Sequence, residues 1–151
     1  MKTLNQIAWR FNAERYTDLN KFSNDVKQYQ QDIYKDSSRW QPDAVVFEQQ
    51  EVQIQYMAWI SSMEDLLENE TLIDDDENIF EEEPDEDEHQ VEIVALIKAD
   101  NGRHLTAQEF LMKTHNQMAN KELGDHVFFE GTDETPFLAD GVPTYFIGCG
   151  S

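Results

Sequence analysis

Between residues 41 and 97 the chain carries no lysine or arginine, so its fold must accommodate 57 consecutive residues whose only full charges are negative. That stretch holds 19 of the 32 Asp and Glu residues, while the rest of the chain, with 13 acidic and 11 basic residues, is nearly neutral. The net charge of −21 is therefore a property of one region. A field of that sign repels phosphates and anionic membrane surfaces and attracts cations and basic proteins. Direct binding of nucleic acid or of a membrane is not expected.

Such a charge would favour disorder if apolar residues were scarce. They are not: nine Phe, five Tyr and three Trp stand among 151 residues. The length suits one domain with a core of its own. A single domain over 1–151 is expected, with an acidic segment at 64–90 whose composition suits a mobile one. Cys149 is the only cysteine, which leaves no disulfide framework within the chain. The first 16 residues lack the apolar run of a signal peptide, and no window approaches the roughly 18 apolar residues of a membrane span. These features predict a cytoplasmic protein.

Periodicity sets the expected elements. Leu4, Ile7, Ala8 and Phe11 are spaced for a short helix with one apolar face, or an irregular arm. Leu19, Phe22, Val26, Tyr29 and Ile33 form one stripe and predict a helix over 17–35, capped by Thr17 or Asp18. Residues 44–47 suit a short strand. Over 51–68 two periods compete. Val52, Ile54 and Tyr56 alternate as in a strand, whereas Tyr56, Trp59, Ile60, Met63, Leu66 and Leu67 fit a helix, which is the preferred reading.

Val91, Ile93, Ala95 and Ile97, with Val94 and Leu96 opposite, predict a central strand. Asp100-Asn101-Gly102 is a turn. Thr106 and Glu109 form a capping box for a helix over 105–123, stopped by Gly124. Strands are expected at 126–130 and 144–147, joined by a long polar connection over 132–141. The fold class is thus α+β, a helical N-terminal half above a small β-α-β-β sheet in the C-terminal half.

The acidic run is the main functional signal. Residues 64–88 include 15 acids, yet Leu66, Leu67, Leu72, Ile73, Ile79 and Phe80 are interleaved with them. A solubility tail needs no such residues. A docking surface does, because charge steers a partner while apolar anchors hold it. The candidate contacts are Asp74, Asp75, Asp76, Glu77, Phe80, Glu81, Glu82 and Glu83, with 81–88 read as a solvated loop. Asp74 to Glu77 are consecutive acids without a mid-loop glycine, so no EF-hand is expected.

The four histidines, His89, His104, His115 and His126, show no metal-ligand spacing. They read as structural or exposed residues, with an Asp125, His126 and His104 grouping as the alternative that would make a small enzyme. Cys149 lies between glycines, but a thiolate needs a cation or histidine nearby, and this field is negative. Phosphate-cradling and dinucleotide motifs are absent. No metal, cofactor or catalytic residue is expected. The segment from Leu123 to Gly131, dense in glycine and aromatic residues, reads as a helix stop, a buried strand and a turn.

In size, charge and expected compartment the chain resembles the bacterial immunity proteins of polymorphic-toxin and contact-dependent inhibition systems. The resemblance is one of type and transfers no individual residue. It implies a non-enzymatic inhibitor that neutralises a basic protein, such as a nuclease toxin, by filling its positive cleft. The alternative is a DNA mimic of the anti-restriction or anti-CRISPR kind.

Overall fold

The protein is described by a computed structural model. It covers the chain except Met1, Asp74, Asp75, Glu77, residues 134–136 and Asp140, and the side chains of residues 2, 3 and 137–139 are likewise not described. The elements run α1 (Lys2–Asn5), α2 (Leu19–Tyr34), β1 (Val45–Phe47), β2 (Glu51–Ile60), a 3-10 turn (Met63–Asp65), β3 (Glu70–Leu72), α3 (Ile79–Glu82), β4 (His89–Lys98), β5 (Leu105–Thr106), α4 (Ala107–Met118), β6 (Phe128–Thr132), β7 (Phe137–Ala139) and β8 (Val142–Gly150). The class is α+β.

The main sheet has the order β3-β4-β2-β8-β6, with β7 paired to β8. β2 and β4 are antiparallel over ten residue pairs, from Glu51↔Lys98 to Ile60↔His89. β2 and β8 are parallel, with Ile54 opposite Tyr145. Alternation decides the faces. Val52, Ile54, Tyr56, Ala58 and Ile60 of β2 and Val91, Ile93, Ala95 and Ile97 of β4 are buried on one side. The other side carries Gln53, Gln55, Met57 and Trp59, with Phe146 of β8 well exposed. β1 and β5 form a separate two-stranded sheet, whose Phe47 packs on Phe110 and Tyr145 at centroid distances of 4.8 and 4.5 Å.

This arrangement corrects the helical reading of residues 51–68 and, with it, the largely helical N-terminal half. The N-terminal half supplies β2, which lies at the centre of the sheet. Local spacing allowed both periods; the ten-pair ladder with β4 settles the contest, because it satisfies backbone groups on a strand buried on one face. The expected polar connection over 132–141 contains β7, and the expected strand over 144–147 extends to Val142–Gly150.

Both long helices form where their stripes place them. Asp18 caps α2 through Asn20 N–H at 2.9 Å, and Lys35 closes it at φ +58°. Phe22 and Val26 are fully buried, each worth about 1.5–3 kcal/mol. Ile33, on the same stripe, is 53% exposed because the helix outruns the core. In α4, Thr106 Oγ1 accepts from Glu109 N–H at 3.4 Å. The Glu109 carboxylate does not complete the capping box; it accepts from Asp100 N–H at 2.7 Å and from Lys113 at 2.9 Å. The helix ends at Met118, well before Gly124.

The N-terminal helix is a single turn, and an extended arm follows it. Phe11 N–H donates to Val127 O at 2.8 Å and Phe129 N–H to Trp9 O at 2.9 Å, so the arm lies along β6. Trp9 Nε1–H donates to His115 Nδ1 at 3.1 Å, and His115 Nε2–H donates to Glu14 O at 2.7 Å. That pattern requires the neutral imidazole. Burial pushes the His115 pKa down, against a smaller opposing pull from the hydrogen bond to Glu14.

Candidate partner-binding surface

The acidic segment leaves the sheet at β3 and returns to it at β4. Ile73 N–H donates to Glu92 O at 3.2 Å, and Asp76 Oδ2 accepts from Glu92 N–H at 2.8 Å. Asp76 therefore braces the segment against β4. Phe80 of α3 turns inward and meets His89 edge-on at 4.8 Å, and Ile79 is half-buried beside the core. These two apolar residues anchor α3 to the body, which explains why residues so rich in acid fold at all.

Glu81, Glu82 and Glu83 are exposed, as is every residue through Glu88. α3 includes the first two, so the solvated loop expected over 81–88 starts as a helical turn. Among the described residues, none of the acids from Asp76 to Glu92 forms an ion pair with a cation of the chain. Asp74, Asp75 and Glu77 lie outside the described residues.

Glu70 behaves differently from the surrounding acids. Its side chain and that of Lys121 are both wholly buried, 2.8 Å apart. Glu70 Oε2 also accepts from Tyr56 Oη–H and, at 2.9 Å, from Gln117 Nε2; Oε1 accepts from Leu67 N–H at 2.6 Å. Burial, then the adjacent carboxylate, raises the Tyr56 phenol far above its ordinary pKa. Asn69 extends the network by donating to Gln117 Oε1 at 2.7 Å and to Leu96 O at 2.9 Å. The pair fixes β3, and with it the start of the acidic segment, to the end of α4. Within β3, Glu70 and Leu72 have the same parity, so both face the core, but no local feature of the sequence marks residues 70–72 as a strand.

Beside β3 lies a groove of about 480 Å³ lined by Met63, Leu66, Glu70, Thr71, Leu72 and Asn78. Met63 is 52% exposed, and Leu66 and Leu72 are half-buried. Glu64, Asp65 and Glu68 are exposed along the same turn. Leu66 and Leu72 were legible as apolar residues within the acidic run, but nothing local places them with Met63. A second cavity, of about 700 Å³, includes Arg15, Lys98 and Lys113 together with Glu68 and Asp100. Lys113 is already committed to Asp100 at 2.8 Å and Glu109 at 2.9 Å, so its charge is spent internally.

The remaining candidates have structural surroundings. Asn101 Nδ2–H donates to His104 Nε2 at 3.2 Å, and His126 Nε2 lies 3.5 Å from its neighbour Asp125. His89 Nε2–H donates to Glu83 O at 2.6 Å. Burial, with Glu130 adding to it, pushes the Cys149 thiol up to about 11. Gly131, at φ +93°, lies against Asn5: an added Cβ would fall 2.2 Å from Asn5 Oδ1, which accepts from Thr132 N–H at 3.1 Å. The dense segment from Leu123 to Gly131 thus contains the contact that seats α1. Among the described residues no cluster of metal-ligating side chains occurs, and no helix is long and apolar enough to cross a membrane. No protein-family model, curated protein or solved structure matches the chain.

Proposed function

We propose that this chain is a cytoplasmic, non-enzymatic binding protein that neutralises a basic protein partner, in the manner of the immunity proteins it resembles in type. The partner class is a nuclease toxin, whose cleft is positive because it holds phosphates. The observation that carries this reading is the state of the acids over 81–88. They are exposed, on a segment anchored by Ile79 and Phe80, and among the described residues no cation of the chain is paired to them. Unneutralised like charge opposes compaction. A partner's lysines and arginines would relieve that repulsion on binding, and electrostatic steering would make association fast and salt-sensitive.

The raised thiol pKa of Cys149 and the internal commitment of His115 favour a binding role over catalysis. A duplex mimic would array its acids along ordered elements, and α3 holds only Glu81 and Glu82.

The test recovers binding partners from the source cell and measures the affinity of a basic protein so recovered at low and high salt. The Glu81→Gln/Glu82→Gln/Glu83→Gln variant is expected to bind more weakly and with a shallower salt dependence. Unchanged affinity and unchanged slope would remove the acidic surface from the interface. Competition by duplex DNA for the same partner would favour the mimic.

A further inference from the structure

β3 is an outer strand of the main sheet. Its ladder with β4 shows which backbone groups look outward. Asn69 O accepts from Leu96 N–H and Ile73 N–H donates to Glu92 O, so residues 69 and 73 sit at bonded positions, and Thr71, opposite Val94, lies at the bonded position between them. Glu70 and Leu72 therefore direct their N–H and C=O groups away from β4. The Glu70 N–H is taken by Leu67 O at 3.0 Å. Glu70 and Leu72, which carry the remaining outward N–H and C=O groups, line the groove together with Met63 and Leu66.

Three properties coincide there: an outward strand edge, an apolar floor and a rim of acids, Glu64, Asp65 and Glu68, that form no ion pair among the described residues. Bare edges are ordinarily blunted by charge, which deters self-pairing. A second copy would bring the same acids to the same place and be repelled. A cationic strand would be attracted by them.

We infer that the β3 edge takes an extended segment of a protein partner as an added strand, and that the segment alternates apolar residues with lysine or arginine. The inference deepens the acidic-surface reading and rests on it. Main-chain hydrogen bonds to Leu72 and Glu70 supply the register, as in other cases of strand addition. Alternate side chains of the added strand point to opposite faces. Those on the core side cover Met63, Leu66 and Leu72; those on the other side reach the acids that border the open face, Asp76 and Glu92 among them. Three residues of strand at about 3.4 Å each give an edge of about 10 Å, enough for a short segment rather than a whole sheet.

The experiment titrates the isotope-labelled full chain with a blocked Lys-Val-Lys-Val-Lys-Val peptide, with its Glu-Val counterpart and with a version N-methylated at alternate amides. The cationic peptide is expected to shift the Thr71 and Leu72 amides and to slow exchange of the Leu72 amide about tenfold, and N-methylation is expected to weaken binding about tenfold. Met63→Lys, at an exposed position, should weaken the cationic peptide while leaving the fold intact. Equal binding of the N-methylated peptide, or shifts confined to residues 79–88, overturns strand addition and leaves the acidic-surface reading standing. Binding of the cationic peptide no tighter than of the acidic one overturns both.

Discussion

At the β6 edge of the sheet, the arm from Trp9 to Phe11 lies against the outer strand and pairs with it through two backbone hydrogen bonds of 2.9 and 2.8 Å. At the β3 edge, no described residue does the same. The first edge is closed by apolar and aromatic side chains of the chain itself, with Trp9 packed edge-on against Phe22 at 5.3 Å and Tyr29 at 5.6 Å. The second is flanked by carboxylates. One solution contributes cohesion within the molecule. The other contributes a preference about what approaches from outside, at some cost in self-repulsion. Stability should therefore be concentrated at the closed edge, and partner affinity at the charged one.

The largest effect is expected from Trp9→Ala. It removes a buried ring and leaves His115 Nδ1 without its donor, and it should cost about 3–5 kcal/mol in a denaturant titration. A loss below about 1 kcal/mol would mean that the arm is not what closes this edge. Lys121→Met comes next, and tests whether the charged edge has an internal support of its own. It leaves the buried Glu70 carboxylate without a cation and should cost about 3 kcal/mol, most of it recovered when Glu70→Gln is added. If the double variant is no better than the single one, the pair is not the unit that holds β3.

The pH response should follow the closed edge. The folded pKa of His115 lies below its ordinary value of 6.5, chiefly through burial. Below about pH 6.5 the unfolded chain takes up a proton that the folded chain refuses, so stability falls with falling pH by up to about 1.4 kcal/mol per unit. It is retained above that range. A His115→Gln variant should lose this component of the slope, and an unchanged slope would assign it to other groups. The smallest effect is expected from Met63→Ala, within about 0.5 kcal/mol, because the side chain is half in solvent. A larger loss would make the groove part of the core rather than a surface for a partner.

The same contrast explains what could be read in advance. α2 and β4 were legible because each satisfies one periodicity and no other, through Phe22 and Val26 in the helix and the run from Val91 to Ile97 in the strand. β2 was not, because Tyr56, Trp59, Ile60 and Met63 also keep helical spacing; only pairing with β4 separates the two. The exposed acids Glu81 to Glu83, proposed as docking residues, could be picked out by charge alone. The burial of Glu70 could not, since an isolated carboxylate in an acidic run looks like its neighbours until Lys121 and Tyr56 are folded against it. The groove combines the turn at Met63 with β3, and its assembly is a tertiary event. β7, the three apolar residues Phe137–Ala139 inside an otherwise polar connection, was too short to show an alternation of its own.

The parallel pairing of β2 with β8 has a consequence for biosynthesis. Thr144 Oγ1 donates to Gln53 Oε1 across 91 positions of sequence. A ribosome must therefore produce nearly a hundred further residues before the inner flank of β2 meets its neighbour. Throughout that interval one edge of the apolar ribbon lacks its strand partner, a hazard for association between nascent chains. The ribbon lies inside the lysine-free stretch, where every full charge has the same sign, and mutual repulsion of identical segments acts as a gatekeeper during that delay. On this view the acids act first during synthesis, holding siblings apart, before the finished molecule presents them for the partner role proposed above.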